Sequence, residues 1–199
     1  MARNKVVAAL TGSIGSGKTV VLDYFRDNLG FNTVSADAIG HEVLQKPEII
    51  DKISLAFGKS VLKNGGIDRA ALGKIVFSDK TALLKLNELT HPAILKQTFE
   101  IIDELSRKSP VILEAAILIE AGWHKYFDTV MLVYCKPEIQ LYRLMTRDGI
   151  SREEAEKKIK SQMSFEAKKP FATHLIDTSF GIEVTKITLE KIAAELLEK

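Results

Sequence analysis

The sequence contains very little cysteine: Cys135 is the one such residue among 199. A single thiol excludes an intrachain disulfide and a cysteine-based zinc cage. The sequence also lacks an excess of either charge, because 28 basic and 26 acidic residues leave a net charge of +2, which argues against nucleic acid or a membrane surface as the main partner. No apolar run approaches the ~20 residues needed to span a bilayer, and no secretory signal pattern follows Met1. We therefore expect a cytoplasmic protein.

Length and composition are those of one globular domain, with 46% apolar and 27% charged residues. Short continuous apolar runs, typical of strands buried on both faces, alternate with segments of helical periodicity. The predicted strands are Lys5–Thr11, Phe31–Ser35, Val111–Ile119, Asp128–Cys135 and His174–Asp177. The predicted helices are Lys18–Asn28, Asp37–Gln45, Pro47–Phe57, Asp68–Phe77, Lys80–Arg107, Pro137–Asp148, a basic helix that begins at the capping box of Ser151, and Glu183–Glu198. This alternation predicts an α/β fold with a parallel sheet covered on both faces, and a helical insertion over about 38–107.

One motif carries most of the chemical information. Between the first predicted strand and the first predicted helix, the sequence matches G-x-x-x-x-G-K-[ST]. Glycines let the backbone turn tightly around phosphate oxygens, the lysine reaches the β- and γ-phosphates, and the hydroxyl that follows binds Mg²⁺. The nucleotide-binding residues predicted here are Gly12, Ser13, Ile14, Gly15, Ser16, Gly17, Lys18, Thr19 and Val20.

Asp37 follows the second predicted strand, near the carboxyl edge of the sheet where ligands of such folds bind. A carboxylate at this place can accept a hydroxyl proton or hold a metal-bound water. The alternative is a structural role as the N-cap of the next helix. Position alone leaves both interpretations open.

Glu114 interrupts the most apolar segment of the chain. An isolated buried carboxylate is costly, so it should have a partner such as a metal-water shell or a hydroxyl of the phosphate-binding loop. This pattern is similar to the acidic residue of a Walker-B strand. The alternative is a strand that is exposed on one face.

The segment Arg143–Lys169 is strongly basic. Arg143 and Arg147 share one helical face, because they are four residues apart. Two interpretations compete: a solvated helix face, or a lid that closes over a triphosphate and neutralises charge in the transition state.

Taken in order along the chain, these motifs resemble the dephospho-coenzyme A kinase family nearly from end to end. The residues that carry the resemblance are Leu10-Thr11-Gly12, Asp37 with Ile39-Gly40-His41-Glu42-Val43, His91-Pro92, Ala116-Ile117-Leu118-Ile119-Glu120, Arg143-x-x-x-Arg147-Asp148, Ser161-Gln162 and Leu175-Ile176-Asp177. The sequence departs from the usual family pattern at Ser35, where an aspartate is common, and at Thr178-Ser179, where an asparagine is common.

The resemblance implies a three-layer P-loop kinase fold that transfers the γ-phosphoryl group of ATP, with Mg²⁺, to the ribose 3′-hydroxyl of dephospho-CoA. This reaction gives CoA, in the final step of coenzyme A biosynthesis. The implied organisation is one kinase domain with a core at about 1–37, 108–142 and 172–199, a helical substrate-binding module at about 38–107, and a helical lid at about 143–171.

The resemblance also assigns roles to particular residues. The catalytic residues would be Lys18, Asp37 and Arg147, and Arg143 would join the nucleotide site. Substrate would be bound by Asp37, His91, Pro92 and Glu120, and Mg²⁺ by Thr19, Asp37 and Glu114. We expect a monomer or a weak homo-oligomer, without a nucleic-acid or membrane partner.

Two other functions remain open at this stage. One is a P-loop kinase that acts on a different small molecule or nucleotide. The other is a non-catalytic nucleotide switch, although the Asn-Lys-x-Asp base reader that a GTPase would normally carry is absent from the sequence.

Overall fold

The structure, a computed structural model, describes residues 6–198. Its strands are β1 Val7–Thr11, β2 Asn32–Ser35, β3 Leu62–Lys63, β4 Gly66–Ile67, β5 Val111–Glu114, β6 Val130–Tyr134 and β7 His174–Asp177. Its α-helices are α1 Lys18–Leu29, α2 Ala36–Val43, α3 Pro47–Phe57, α4 Arg69–Val76, α5 Lys80–Leu105, α6 Pro137–Asp148, α7 Arg152–Lys160, α8 Phe165–Lys168 and α9 Ile182–Leu197. Lys5, predicted to begin the first strand, lies outside the described residues.

The main sheet has the strand order β2-β5-β1-β6-β7. β1 is parallel to both β5 and β6, and β6 is parallel to β7. Consecutive parallel neighbours need crossover connections, and the helices between the strands supply them. The predicted α/β class with a parallel sheet is confirmed.

One face of this sheet is buried beneath α1 and α9. Side chains of all three central strands and of β7 join those of the two helices in one apolar cluster, which includes Ala8, Leu10, Ile112, Met131, Val133, Ile176, Val21, Phe25, Leu189, Ile192 and Leu196. Ala9, Leu113 and Leu132 alternate with them and are almost fully buried as well. Burial on both faces explains why these strands appear as continuous apolar runs.

The chain divides into two compact units. One contains the main sheet and comprises the described residues up to Val34 together with those from Ile102 onward. The other, Ser35–Ile101, contains α2, α3, α4, most of α5 and the antiparallel hairpin of β3 and β4. Asn64 and Gly65 both have positive φ at the tip of this hairpin, as a two-residue hairpin turn requires.

Local sequence signals account for many of the helix ends. Gly30 ends α1 with a φ of 73°, and proline begins both α3 and α6. Ser151 and Glu154 form the predicted capping box of α7. The long helix α5 remains helical on both sides of Pro92. Among the described residues, none of the helices combines the length and apolar character that a bilayer crossing requires.

The predicted strand Val111–Ile119 is too long, because β5 ends at Glu114. The Ala115 amide still bonds the Leu10 carbonyl of the neighbouring strand, at 3.1 Å. Beyond it the chain turns on itself, and the Ala121 amide bonds the Ile117 carbonyl at 2.8 Å. Leu118 and Ile119 are apolar because they are buried in this turn, not because they continue the sheet.

Candidate active site

The phosphate-binding motif occupies the turn between β1 and α1, at the carboxyl edge of the main sheet. The segments that follow the neighbouring strands β6 and β7 reach the same edge, as the parallel register requires. Helix α1 begins at Lys18, so its first amide groups face the loop. A helix N-terminus at this place favours bound anions.

The glycines of the loop are required by close contacts. A Cβ at Gly12 would lie 2.4 Å from the Val133 carbonyl oxygen and 2.8 Å from Ser16 Oγ. Gly17 has a φ of 94°, and a Cβ there would lie 3.0 Å from Thr178 Oγ1. A side chain at Gly12 would therefore collide with the backbone of β6, and one at Gly17 would strain the loop and push against Thr178.

Lys18 and Glu114 lie together beneath this loop. Lys18 Nζ donates a hydrogen bond to the Gly12 carbonyl oxygen at 2.9 Å and lies 3.9 Å from Glu114 Oε1. The lysine side chain is 14% exposed and the glutamate side chain 12%. Glu114 occupies the face of β5 that packs under α1, because it is two residues beyond Ile112. The expectation that this carboxylate has a partner is confirmed, and one partner is the P-loop lysine, whereas a metal-water shell or a loop hydroxyl as its partner stays a prediction.

Two hydroxyls of the loop bear on phosphate and metal binding. Ser16 is 2% exposed, and its buried Oγ has no hydrogen-bond partner in the structure. An orphaned buried hydroxyl inside a glycine cradle fits an anionic ligand that would accept its proton. Thr19 is exposed in the first turn of α1. Within residues 6–198 no three or more His, Cys, Asp or Glu side chains are grouped so that they could hold a metal ion.

The tip of the loop is bonded to the segment that follows α7. The Ile14 amide donates to Gln162 Oε1 at 2.7 Å, and the Ile14 carbonyl accepts from Gln140 Nε2 at 2.7 Å. A cavity of about 710 Å³ opens beside this contact, lined among others by Ser13, Ser16, Tyr134, Gln140, Gln162 and Phe165. Neither glutamine was predicted as a site residue, because only the folded chain shows that they meet Ile14.

Arg143 approaches the loop from α6. Its Nη1 donates to Thr178 Oγ1 and its Nη2 to the Thr178 carbonyl oxygen, both at 2.9 Å. Thr178 Oγ1 in turn bonds the Ser16 carbonyl oxygen at 2.7 Å. The predicted nucleotide residue Arg143 therefore lies against the phosphate-binding loop, held there by a residue that the sequence marked only as a departure from the family pattern.

Arg147 has a different environment, although it shares a helix with Arg143. Its Nε donates to Asp148 Oδ1 at 2.7 Å, and Lys158 Nζ lies 2.9 Å from Asp148 Oδ2. The bond from Arg147, followed by that from Lys158, lowers the pKa of Asp148 from 3.8 to about 2. This exposed network links the end of α6 to α7. Its arginine, at 59% exposure, is available to solvent, and a catalytic role for it stays a prediction.

Glu120 and Lys168 form an ion pair that the sequence did not predict. Lys168 is fully buried, and its Nζ lies 3.0 Å from Glu120 Oε1 and 2.9 Å from the Ala116 carbonyl oxygen. The Met163 amide also donates to Glu120 Oε1, at 3.3 Å. Lys168 is therefore not part of a solvated basic face. The substrate-binding role predicted for Glu120 stays a prediction.

Asp37, His91 and Pro92 lie in the helical unit. Ser35, not Asp37, is the N-cap of α2, since its Oγ accepts a hydrogen bond from the Ala38 amide at 3.4 Å. The alternative structural role of Asp37 as the cap is therefore wrong, and its carboxylate is exposed in the first turn of α2. His91 is half-buried within α5, and burial lowers its pKa.

A parallel sheet of this strand order, with a glycine cradle, a lysine and a helix N-terminus at its carboxyl edge, defines a P-loop nucleotide-binding protein. The dephospho-CoA kinase family model matches residues 6–183. The chain belongs to the dephospho-CoA kinase family, as its motifs predicted, and is therefore an enzyme. Membership of this family implies ATP as the phosphoryl donor.

Individual relatives agree with the family match. A dephospho-CoA kinase from Dehalococcoides mccartyi is 37% identical over 195 residues, which cover 96% of this chain and 98% of that protein. The crystal structure of TT1252 from Thermus thermophilus is similar with a TM-score of 0.85 and 30% identity, over 98% of this chain and 99% of that one. A dephospho-CoA kinase structure from Campylobacter jejuni gives a TM-score of 0.72 and 30% identity, over 98% of both chains.

Proposed function

We propose that this chain transfers the γ-phosphoryl group of ATP to the ribose 3′-hydroxyl of dephospho-CoA, which gives CoA. One observation supports the proposal above all: Lys18 lies at the phosphate-binding loop, 2.9 Å from the Gly12 carbonyl oxygen, in a chain that matches the family over residues 6–183. The ammonium group of Lys18 would bind the β- and γ-phosphates and offset the charge that develops during transfer. Bound Mg²⁺ would neutralise further phosphate charge.

The chain's own residues divide the remaining work. Thr19 and Glu114 would bind Mg²⁺ or its waters at the loop, and Asp37 would either accept the proton of the acceptor hydroxyl or organise the metal. His91, Pro92 and Glu120 would contact dephospho-CoA. These assignments follow the family resemblance, and the exposed carboxylate of Asp37 is compatible with either role.

The basic segment from 143 to 171 would act as the lid, the helical stretch from 38 to 107 as the substrate module, and the rest as the core of one kinase domain. Arg143 supports the lid assignment, because it already lies against the loop through Thr178. Closure would exclude water, which strengthens charge interactions and suppresses transfer to water. The cytoplasmic location and the monomeric or weakly oligomeric state stay predictions.

An acceptor panel tests the proposal. The purified chain is incubated with ATP and Mg²⁺ and with dephospho-CoA, adenosine, AMP, shikimate or no acceptor, and ADP release is followed. We expect release with dephospho-CoA, together with a new 3′-phosphomonoester signal in the ³¹P spectrum of the product. Turnover with another acceptor and none with dephospho-CoA would instead indicate a different small-molecule kinase. The variant Lys18→Met is the control against a contaminating kinase.

A further inference from the structure

Thr178 is a buried threonine directly after β7 to which neither the motif nor the family resemblance gives a role. It is 6% exposed, and its Oγ1 donates a hydrogen bond to the Ser16 carbonyl oxygen at 2.7 Å. The same Oγ1 accepts from Arg143 Nη1 at 2.9 Å, and the Thr178 carbonyl accepts from Arg143 Nη2 at 2.9 Å. A single residue therefore holds the guanidinium group by two hydrogen bonds and joins it to the phosphate-binding loop.

The direction of these bonds is fixed by the donors. A guanidinium group has only donors, so toward Arg143 the hydroxyl must accept, and its one proton is left for a backbone carbonyl. The Ser16 carbonyl at 2.7 Å is the nearer acceptor, and the Tyr134 carbonyl lies farther away, at 3.3 Å. Serine can reproduce this arrangement, whereas valine has the same shape but can neither donate nor accept.

The loop leaves space for this contact at Gly17. A Cβ there would lie 3.0 Å from Thr178 Oγ1 and 3.2 Å from Arg143 Nη1. Because residue 17 has no side chain, the hydroxyl and the guanidinium group both approach the backbone of the loop. Arg143 is thereby fixed before a nucleotide arrives, which reduces the side-chain entropy lost when it binds one.

We propose that Thr178 is a positioning residue, which holds Arg143 against the phosphate-binding loop so that its guanidinium group meets the triphosphate of ATP. The inference rests on the proposed role of Arg143 as a nucleotide ligand. It deepens the proposed function, because it assigns to a side-chain hydroxyl the orientation of the cation that binds the donor substrate.

Three variants separate this role from a merely structural one. Thr178→Val removes one of the two hydrogen bonds to Arg143 and should lower kcat/KM for ATP by about tenfold. The loss should not be larger, because the bond from Arg143 to the Thr178 carbonyl remains. Thr178→Ser should restore activity to within about twofold of the wild type. Thr185→Val is the matched control: Thr185 is 3% exposed, and its hydroxyl bonds the Asp177 and Gly181 carbonyls without touching Arg143. It should lower the melting temperature as Thr178→Val does, but leave kcat/KM within about twofold.

The coupling between the two residues is decisive. In an Arg143→Met background, Thr178→Val should cost no more than about twofold further, because the group it positions is gone. A full tenfold loss in that background, or a serine variant as impaired as the valine variant, would overturn the proposal.

Calorimetric titration with ATP and Mg²⁺ in the absence of an acceptor distinguishes failure of this inference from failure of the proposed function. If the wild type does not phosphorylate dephospho-CoA but Thr178→Val weakens ATP binding only when Arg143 is present, the positioning role stands and the acceptor assignment fails. Unchanged ATP affinity together with unchanged kcat/KM in Thr178→Val would refute the positioning role, whatever the acceptor.

Discussion

Replacing Lys18 by methionine removes an ammonium group and keeps most of the aliphatic side chain. The group lost lies 3.9 Å from Glu114 Oε1, and both side chains are largely buried, at 14% and 12% exposure. The substitution therefore has two separable effects. It removes the cation that would bind phosphate, together with its hydrogen bond to the Gly12 carbonyl oxygen, and it leaves the Glu114 carboxylate without that neighbouring charge.

The distance gives the size of the second effect. Two unit charges 3.9 Å apart attract by about 4 kcal/mol at an effective dielectric constant of about 20. Part of this is offset by the dehydration of both ions, so we expect Lys18→Met to lower the free energy of unfolding by about 2–4 kcal/mol. For a chain of this length the melting temperature should fall by roughly 5–12 °C. The loss of transition-state stabilisation should lower kcat by about a thousandfold or more.

The double variant Lys18→Met/Glu114→Gln separates the two effects. It removes the buried carboxylate charge as well, so the melting temperature should recover most of the loss while kcat stays low. Lys191→Met is a matched surface control, because Lys191 Nζ lies 4.0 Å from Glu195 Oε1 and is 79% exposed. It should change stability by less than about 1 kcal/mol.

Thermal unfolding and steady-state turnover with ATP and dephospho-CoA measure both quantities on the same preparations. Near-wild-type turnover of Lys18→Met would refute the role of the lysine in phosphate binding. A double variant no more stable than Lys18→Met would refute the argument that the Glu114 charge, rather than lost packing, causes the destabilisation.

Three further substitutions have expected outcomes. Asp37→Asn should lower kcat by about 10²–10⁴-fold with little change in KM for ATP, because an amide cannot take a proton; a collapse of ATP affinity with unchanged kcat would indicate a nucleotide ligand instead. Asp148→Asn should destabilise the protein at pH 7, because the pKa of Asp148 is lower in the folded chain than in the unfolded chain. This stabilisation is present above pH 3.8 and is lost when the folded carboxylate is protonated. Urea titrations should therefore show that the difference in free energy of unfolding from the wild type shrinks as the pH falls from 3.8 to about 2. Gly17→Ala should weaken ATP binding by about tenfold or more in calorimetry, because the Cβ would meet Thr178 Oγ1 at 3.0 Å. Gly30→Ala is the control, since Gly30 also has a positive φ, of 73°, but a Cβ there would meet nothing within 4 Å. It should lower stability and leave ATP affinity unchanged.

The elements that sequence predicts well here are those with local signals. The P-loop follows from a motif that needs no partner, and α3 and α6 follow from a proline at the first position and a clear end. Glu114 was singled out because a charge in an apolar run demands an explanation. Such inferences depend on residues that are close in sequence.

The features that the sequence did not predict depend on contacts between residues that are far apart in the chain. The last residue of β5, Glu114, lies opposite Leu10 of β1, which is about a hundred residues away in the chain. Lys168 resembles its basic neighbours in sequence, and only the position of Glu120 and the Ala116 carbonyl shows that it is buried. Thr178 was visible only as an unusual residue, because its contacts with Ser16 and Arg143 arise when β7, α6 and the loop meet at one edge.

The buried ion pair of Lys168 has a mechanical consequence for α7. On one side of this helix, Arg143 fastens α6 to the loop after β7; on the other, Lys168 fastens α8 beneath the Ala116 carbonyl. The basic segment is therefore attached at both of its ends, and not at one end only. We expect this segment to move over the P-loop when the bond between Gln162 and Ile14 is exchanged. We do not expect it to swing away as a whole, because that would pull a fully buried ammonium group from its partners. We therefore expect a nucleotide to enter beneath a segment that stays attached at both of its ends.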